Sequence, residues 1–426
     1  LEHGDGHHDG FRFGHVGLIA LGVRLARHRL ARTRVGLLLF NRLRRQRIEQ
    51  RIGDDLDALQ LARRQAMPLA KRLDLVGRFR LEEDFRRLVR LPTPEDRAGR
   101  RFSLHGRLRD HRVLDAVDRM EPGQGDGVFR ATDMGAADGG TSLDMWRRVL
   151  AQVRTQAPER PIEMVYTDLP RNDFSQVFQN VHGLTGSATY LNEVSGVHVM
   201  ASGTSFHEAI LPAGTLDLGF SATASHYITA VPCNIPDHVH MVGASGGVRA
   251  AYEDKGAADW DNMLARRATE MKPGARLCLF NFGIDEEGRY LGNTGGVNMF
   301  DTFALHWRDM RDEGIITAEE FENTNFPQVY RNQAQFVAPL EDTDSAAYAA
   351  GLRLEHVEAR VVRCPFEHAF TEQGGDPAQF AKDYIPTLRS WSEPNFVNGL
   401  SDTRSAAEKA EIVDAFYGRY EQMVAD

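Results

Sequence analysis

The sequence contains few cysteines and no long apolar run. Its three cysteines, Cys233, Cys278 and Cys364, are far apart and form no CxxC pair. This usage is typical of reducing compartments and argues against a cysteine-based zinc site. The longest apolar runs, residues 35–40 and 276–282, are much shorter than the ~18–20 residues of a membrane-spanning helix. We therefore expect a cytoplasmic protein with no membrane partner.

Lysine and tyrosine are nearly missing from the first 120 residues. That segment has 26 Arg and one Lys against 16 acids, a balance of +11, and the other 306 residues carry −20. No tyrosine precedes Tyr166. An Arg-rich segment can bind nucleic acid, but no aromatic–basic motif accompanies these arginines. The alternatives are a helical extension and a non-native reading frame of GC-rich DNA. The segment lacks the arrangement of a signal peptide, and we expect no nucleic-acid partner.

The composition of the sequence and its pattern of predicted strands and helices change near residue 125. Residues 1–125 are interpreted as an Arg-rich N-terminal segment, with helix-like patches at 56–69 and 81–91, and residues 126–426 as one domain. The composition, 42% hydrophobic and 26% charged, is that of a globular protein. Strands are predicted at residues 128–134, 162–167, 197–202, 216–221, 276–282 and 356–363. Helices are predicted at 143–156, 173–181, 259–271, 299–313 and 406–425. This alternation predicts an α/β fold with a mainly parallel sheet covered on both faces.

A glycine-rich run, DMGAADGGTS at residues 133–142, follows the first predicted strand. Glycine lets a ligand approach the backbone closely. The carboxyl ends of parallel strands present such turns to adenosine-bearing cofactors. S-adenosylmethionine (SAM) carries no phosphates, so Asp133 is the candidate partner of its amino group. The alternative is a connecting turn with no ligand.

The run YTDLPRNDFSQVF at residues 166–178 ends the next predicted strand in an acid. Asp168 can accept hydrogen bonds from both ribose hydroxyls, and Leu169 can pack on the adenine edge. An acid at this place can instead cap the following helix. Asn172 or Asp173 is available for that role, which leaves Asp168 for a ligand.

Two further loops are predicted to reach the same edge of the sheet. Phe206 can stack on adenine while Ser205 hydrogen-bonds to it; the alternative is a buried loop aromatic. His226 and Tyr227 end the run SATASHY, and both can donate hydrogen bonds to a carboxylate. A single histidine is more often structural than catalytic, so both readings stay open.

These motifs resemble, in the same order, those of the SABATH family of salicylate, benzoate and theobromine methyltransferases and their bacterial relatives. YTDLPRNDFSQVF is similar to DLPxNDFxxLF, DMGAADGGTS to DLGCSSGPNT, and SATASHYITAVP to SSYSLHWLSQVP. SGTSFHEAILP resembles PGSFYxRLFP, and MRDEGIITAEEFENTNFP resembles LVxEGxIxxEKxxxFNxP. The resemblance extends from about residue 128 to the end of the chain.

The resemblance implies a Rossmann-like class I methyltransferase sheet with a helical cap over the acceptor site, the cap insertions lying at about residues 290–350. It also implies SAM as the cofactor. The residues carried over to SAM are Asp133 and Gly135 at its methionine end, Asp168 and Leu169 on ribose and adenine, and Ser205 and Phe206 beside adenine.

On the acceptor side, the resemblance implies that His226 and Tyr227 are the catalytic pair that holds the acceptor carboxylate, and that Met299 and Phe300 form an apolar wall. Glu322 and Asn325 match residues that hold magnesium in some members, although Glu replaces Asp here and Thr324 replaces Phe. Nothing in residues 1–132 matches the family's Tyr-Asn-Ser and Gln segment, whose Gln helps to hold the carboxylate. The family also implies a homodimer.

We therefore expect a SAM-dependent carboxyl O-methyltransferase that converts a small carboxylic acid to its methyl ester. An acid with a pKa near ~4 is ionised at neutral pH, so its oxygen needs no general base. Alignment of the acid oxygen with the methyl group and the sulfur then supplies most of the rate. The alternatives are methylation of a nitrogen or hydroxyl, a catalytically degenerate SAM-binding protein, and a nucleic-acid binder acting through the Arg-rich segment.

Overall fold

Five parallel strands form the central sheet of the computed structural model, which describes residues 104–120, 122–124, 127–292, 298–359, 366, 370 and 374–426. Every neighbouring pair of strands is parallel, and the order is β3-β2-β1-β4-β5. The strands are β1 (Phe129–Met134), β2 (Ile162–Thr167), β3 (Val197–Ser202), β4 (Leu216–Ala222) and β5 (Met271–Phe280). The predicted parallel α/β sheet is confirmed.

Ten α-helices lie in the described part of the chain. They are α1 (Leu104–Met120), α2 (Leu143–Gln156), α3 (Phe174–Val181), α4 (Gly246–Glu270), α5 (Met299–Asp312), α6 (Ala318–Asn323), α7 (Gln333–Glu341), α8 (Ala346–Ala349), α9 (Pro377–Gly399) and α10 (Ala406–Ala425). None of the described helices is both long and apolar enough to span a bilayer.

The direction of strand order reverses between β1 and β4. The chain proceeds outward from β1 through β2 to β3, then returns to the other side of β1 as β4. The crevice outside the carboxyl ends of the strands at such a reversal is the usual ligand site of an open α/β sheet. The predicted cofactor residues lie at or beyond the carboxyl ends of β1 (Asp133 and Gly135), β2 (Asp168 and Leu169) and β3 (Ser205 and Phe206).

One hydrophobic core joins the sheet to α1, α2 and α3. It contains Trp146, Phe129 and Phe220, with Val113 and Val117 of α1 fully buried among them. Helix α1 packs on α2 and β5. The core of the sheet thus includes residues that precede the predicted domain boundary at 125/126.

A second core is formed by helices α5, α6, α9 and α10. It is rich in aromatic side chains; Trp307, Phe303, Phe396 and Phe416 have ring centroids 4.2–5.8 Å from one another where they pair. Helices α9 and α10 lie outside the residues expected for the cap, about 290–350, and the bounds of the cap stay a prediction.

A short strand pair connects this second region to the sheet edge. Strands β6 (Gly283–Ile284) and β7 (Arg331–Asn332) are parallel, and Tyr227 forms an isolated antiparallel bridge with Gln328. Residues 328–332 therefore pair with the segments that follow β4 and β5.

Three predicted elements differ from the structure, and helix α9 was not predicted. Helix α4 begins at Gly246, 13 residues before the predicted start at 259. Residues 356–359 of the strand predicted at 356–363 have no regular structure, and residues 360–363 lie outside the described residues. Strand β5 begins at Met271, earlier than the predicted start at 276. Pro273 and Gly274 disfavour a strand in the sequence, but β5 is an edge strand, and an edge position tolerates them. The predicted patches at 56–69 and 81–91 also lie outside the described residues.

Candidate active site

The glycine turn after β1 packs directly against the loop after β4. Gly135 has φ +73°, and a Cβ on it would lie 2.4 Å from the Cβ of Ala224. The backbone N–H groups of Gly135 and Ala136 both donate to the carbonyl of Thr167, at 2.8 and 3.1 Å. Only glycine fits this conformation and this space, so the turn is fixed at the point where the strand order reverses.

Asp168 lies beyond the end of β2 and holds the same turn. Its Oδ2 accepts a hydrogen bond from Ala137 N at 2.8 Å, and its Oδ1 accepts from Leu169 N at 2.7 Å. Asn172 Nδ2 donates to the carbonyl of Ala137 at 2.8 Å. The Asp168 carboxylate is only half-buried, and each of its oxygens keeps a lone pair for a further donor. Ribose hydroxyls fit such an acceptor, and the exposed Leu169 lies beside it.

Helix capping at this site is performed by the neighbouring acid. Asp173 Oδ1 accepts from Ser175 N at 3.0 Å and from Gln176 N at 3.4 Å, which caps α3. The alternative role considered for Asp168 is therefore filled by Asp173, as the sequence predicted. Because the two acids divide the roles, the carboxylate of Asp168 is left at the crevice.

Asp133 has a more interior environment than predicted. It is buried, and its Oδ2 accepts hydrogen bonds from Ser142 Oγ at 2.5 Å and Trp146 Nε1 at 2.9 Å. These two contacts attach the end of β1 to the beginning of α2. Its proposed contact with the amino group of SAM stays a prediction, and Asp133 has in any case a structural role.

Ser205 and Phe206 lie in the loop after β3, beside the Asp168 loop. A Cβ on Gly203 in this loop would lie 3.3 Å from Cα of Pro170. Ser205 Oγ accepts from His207 N at 3.3 Å, and the rings of Phe206 and His207 are 4.6 Å apart. Phe206 also packs against the cluster around Trp260, which favours the buried-aromatic alternative, and its contact with adenine stays a prediction.

His226 and Tyr227 follow β4, and their rings pack in a tilted arrangement with centroids 4.5 Å apart. Burial, reinforced by the nearby positive charge of Arg331, lowers the pKa of His226 to about 3, so its ring is neutral at physiological pH. Burial raises the pKa of Tyr227, and the negative charge of Asp168 raises it further. The phenol of Tyr227 is thus protonated and can donate to a carboxylate.

Met299 and Phe300 begin helix α5 and are both buried. Phe300 stacks on the ring of His240, at 3.8 Å between centroids and 14° between planes, and its centroid is 5.8 Å from that of Tyr330. Tyr330 is in turn 5.7 Å from His226. The predicted apolar wall and the predicted carboxylate-binding pair therefore belong to one set of packed rings.

Three residues of this set were missed by sequence reasoning. His240, Gln328 and Tyr330 are almost completely buried beside His226 and Tyr227. The only available signal was position, because Gln328 and Tyr330 directly follow the FENTNFP run. A lone His and a loop Gln carry no spacing pattern, so only the fold brings them together.

The predicted magnesium ligands do not form a cluster of acids. Glu322 is exposed, whereas the Asn325 amide is occupied: its Oδ1 accepts from Ile235 N at 3.0 Å, and its Nδ2 donates to the Glu322 carbonyl at 2.6 Å. The described residues contain no group of three or more His, Cys, Asp or Glu side chains that could hold a metal ion. Thr324 accepts from Trp307 Nε1 at 3.0 Å, which gives it a structural role.

Comparisons with known proteins concern the family and the fold of the chain. Residues 109–426 match a protein family described as SAM dependent carboxyl methyltransferase. Indole-3-acetate O-methyltransferase 1 of Oryza sativa subsp. japonica is 27% identical over 275 residues, 57% of this chain and 67% of that enzyme. Gibberellic acid methyltransferase 1 of Arabidopsis thaliana is 22% identical over 289 residues, 61% of this chain and 73% of that enzyme.

A solved structure of loganic acid methyltransferase with SAH is similar in fold. Its TM-score is 0.57 at 14% identity, covering 74% of this chain and 86% of that one. At this identity the likeness concerns the fold, which is the same parallel sheet with surrounding helices.

Proposed function

The chain belongs to the SAM dependent carboxyl methyltransferase family, and from this premise we propose that it transfers a methyl group from SAM to the carboxylate of a small acid and releases the methyl ester. The resemblance of its motifs to the SABATH enzymes is confirmed by the family match and by the plant relatives.

One observation carries the proposal: the turn after β1 and the loop after β4 are in contact, since a Cβ on Gly135 would lie 2.4 Å from the Cβ of Ala224. Asp168, the candidate ribose ligand, accepts a hydrogen bond from Ala137 N in that turn, and Tyr227, the candidate carboxylate donor, lies in the loop after β4. A cofactor at Asp168 and an acceptor at Tyr227 would therefore be neighbours.

The residues supply the conditions that this chemistry needs. SAM, when bound, provides a methyl group on a positively charged sulfur. An ionised acid attacks without a base, and its charge is lost as the ester forms, so a site that excludes water favours the reaction. Buried, neutral His226 and the packed rings of Phe300 and Tyr330 exclude water, while Tyr227 orients the acid. Orientation then supplies most of the rate.

Turnover with a panel of acids tests the proposal. Aromatic and aliphatic acids are incubated with methyl-labelled SAM beside their primary amides and alcohols, and the products are identified by mass spectrometry. We expect methyl esters from at least one acid and no product from its amide or alcohol. Methylated amides or alcohols without esters would favour the N- or O-methylating alternative.

Two other outcomes would favour different classes of protein. SAM binding, measured by calorimetry, with no product from any compound would identify a degenerate SAM-binding protein. Failure to bind SAM together with salt-sensitive DNA binding would favour the nucleic-acid alternative.

We also propose that the domain includes helix α1 rather than beginning at residue 126, because Val113 and Val117 are part of its core and the family match begins at residue 109. A cytoplasmic location and a homodimer stay predictions. Cell fractionation tests the location, and light scattering at several concentrations tests the dimer. The magnesium ion implied for Glu322 and Asn325 is likewise a prediction. The side-chain amide of Asn325 already forms hydrogen bonds with Ile235 N and with the Glu322 carbonyl, which argues against a metal ion there.

A further inference from the structure

The connection between β3 and β4, which we name the crossover segment (residues 203–215), is described throughout and contains no helix or strand. Parallel strands are usually joined by a helix, whose backbone groups pair with one another. In the crossover segment, side chains of α4 pair with the backbone instead. Arg267 donates to the carbonyls of Phe206, at 2.9 Å, and Glu208, at 2.6 Å. Backbone groups away from water need such partners, so α4 fixes the path of the segment.

Two further side chains of α4 bind the same segment. Asn262 Nδ2 donates to the carbonyl of His207 at 2.7 Å. Glu270 Oε1 accepts from the N–H groups of Ile210 at 2.6 Å and Leu211 at 3.2 Å. The carbonyls of His207 and of both its neighbours are therefore hydrogen-bonded to α4, which fixes the backbone from which the His207 ring projects.

The crossover segment also contacts the ends of the strands that carry the candidate cofactor residues. The carbonyl of Thr204 accepts from Thr167 Oγ1, at the end of β2, at 3.3 Å. The guanidinium of Arg267, which binds the segment, lies 3.6 Å from the sulfur of Met134 at the end of β1. The position of the segment is therefore set relative to both strand ends.

His207 connects the crossover segment to the loop after β4. Its Nε2 lies 3.2 Å from the carbonyl oxygen of Tyr227. Because a carbonyl only accepts hydrogen bonds, Nε2 carries the hydrogen and donates it. His207 is buried, and burial lowers its pKa, although the negative charge of Asp259 opposes the shift. The ring is therefore neutral at physiological pH, with its hydrogen on Nε2.

The backbone on both sides of Tyr227 is bound by another part of the chain. Two backbone hydrogen bonds of 2.8 Å join residues 226 and 228 to residues 327–329. The carbonyl of Tyr227 itself accepts from His207. Loss of the His207 bond frees the peptide group after Tyr227 to tilt, and the direction of the phenol changes with it.

We propose that His207 is a positioning residue for the methyl transfer: it binds the carbonyl of Tyr227 from the crossover segment and thereby orients the phenol that holds the acid. Small errors in alignment cost large factors in rate. In the family motifs quoted above, Tyr stands at the place of His207 and Trp at the place of Tyr227, so this chain differs at both ends of the contact. The inference rests on the proposed function, because it assumes that Tyr227 orients the acid.

A double-mutant cycle in kcat/KM for the acid tests the proposal. His207→Leu removes the donor, whereas His207→Gln keeps an N–H near the place of Nε2. We expect His207→Leu to lower kcat/KM about tenfold and to change the SAM dissociation constant less than about twofold. His207→Gln should restore most of the loss. In the Tyr227→Phe background, His207→Leu should cost less than about twofold, because His207 acts through Tyr227.

A matched control is available in α5. His306 is half-buried, and burial lowers its pKa as it does that of His207. His306→Leu should leave kcat/KM within about twofold in both backgrounds. His207→Asn, whose amide is too short to reach the Tyr227 carbonyl, is the second variant without the contact. It decides the test if His207→Leu does not fold.

Hydrogen exchange measured by mass spectrometry reports the contact without turnover. The amides of residues 227–229 are hydrogen-bonded in the wild type. We expect them to exchange at least about fivefold faster in His207→Leu and His207→Asn, and near the wild-type rate in His207→Gln and His306→Leu. Amides of β1 should exchange at the wild-type rate in every variant, which shows that the sheet remains folded.

The outcomes distinguish this inference from the proposed function. Losses that add in the cycle, or exchange of residues 227–229 at the wild-type rate in His207→Leu, overturn the inference, while ester formation by the wild type leaves the proposed function standing. No ester from the wild type contradicts the proposed function. Exchange then decides by itself: faster exchange only in the variants without the N–H supports the role of His207 in holding Tyr227, and unchanged exchange overturns it.

Discussion

Gly135 and Ala224 are in such close contact that no side chain fits between them. A Cβ built on Gly135 would lie 2.4 Å from the Cβ of Ala224, although the two residues follow different strands, β1 and β4. This contact sets the spacing of the two loops at the point where the strand order reverses. The predicted cofactor turn and the loop that carries His226 and Tyr227 therefore depend on each other.

Replacement of Gly135 by alanine should move these loops apart. We expect Gly135→Ala to destabilise the protein by about 2–4 kcal/mol, from the positive φ and the clash together, and to weaken SAM binding. Urea unfolding and calorimetry measure the two effects. Gly127→Ala is the control, because Gly127 also has positive φ (+62°) but has open space around it. Equal losses in both variants would mean that the contact with Ala224 is unimportant.

Removal of the Asp168 carboxylate should abolish cofactor binding. Asp168→Ala deletes the proposed ribose acceptor and its bond to Ala137 N, and we expect SAM affinity to fall at least ~100-fold, about 2.8 kcal/mol. Asp173→Ala removes the cap of α3 and should destabilise the protein by about 1 kcal/mol, with SAM affinity nearly unchanged. If Asp168→Ala still binds SAM normally, the cofactor site is wrongly placed.

The phenol of Tyr227 should matter more to the acceptor than to the cofactor. In Tyr227→Phe we expect KM for the acid to rise about tenfold, the value of one lost hydrogen bond to a charged group, and the SAM dissociation constant to change less than about twofold. Steady-state kinetics and calorimetry give the two numbers. Equal losses in both would contradict the assigned role of Tyr227.

The buried His226 should make stability depend on pH. Its pKa is lowered from 6.5 to about 3 in the folded protein, so below pH ~6.5 only the unfolded chain takes up the proton. The contribution of His226 to the free energy of unfolding should therefore be fully present above pH ~6.5. Below that pH the free energy of unfolding should fall, by at most about 1.4 kcal/mol per pH unit for this residue. The lowered pKa values of His207, His240 and His306 act in the same direction.

Urea unfolding between pH 7 and pH 5 measures this dependence. His226→Gln should flatten the profile by about 2 kcal/mol over that range. His198→Gln, a change of an exposed histidine, should leave the profile as it is in the wild type. A His226→Gln profile as steep as that of the wild type would contradict the neutral, buried state.

Activity should not require magnesium. Because the Asn325 amide is hydrogen-bonded to Ile235 N and to the Glu322 carbonyl, we expect EDTA to leave the methylation rate within about twofold, since no carboxylate cluster holds an ion there. Glu322→Ala should behave as the wild type with and without the chelator. A magnesium-dependent rate that Glu322→Ala abolishes would establish the metal site.

The regular elements around the sheet could be predicted from sequence because their signals are local. Strands β1 to β4 are short apolar runs bounded by turns, and α3 begins at the cap that Asp173 provides. Helix α9 was missed because Pro386 and Pro394 lie inside it, and proline normally ends a helix. Packing of α9 against α10 overrides that signal.

Only part of the candidate site could be predicted, because some of its residues lie at strand ends and others lie in loops. Asp168 and Tyr227 stand at strand ends, where a parallel sheet gathers residues in a known way. His240, Gln328 and Tyr330 lie in loops whose paths depend on the β6–β7 pair and on the Tyr227–Gln328 bridge. No spacing rule links such loops, so the three residues become neighbours only in the folded chain.

Both backbone groups of Ala137 are hydrogen-bonded to side chains: its N–H donates to Asp168, and its carbonyl accepts from Asn172. The turn is thereby in its final shape before any ligand arrives. Association of the nucleoside should then require little ordering of this segment, and its rate should be set by diffusion into an open crevice rather than by a slow rearrangement of the backbone.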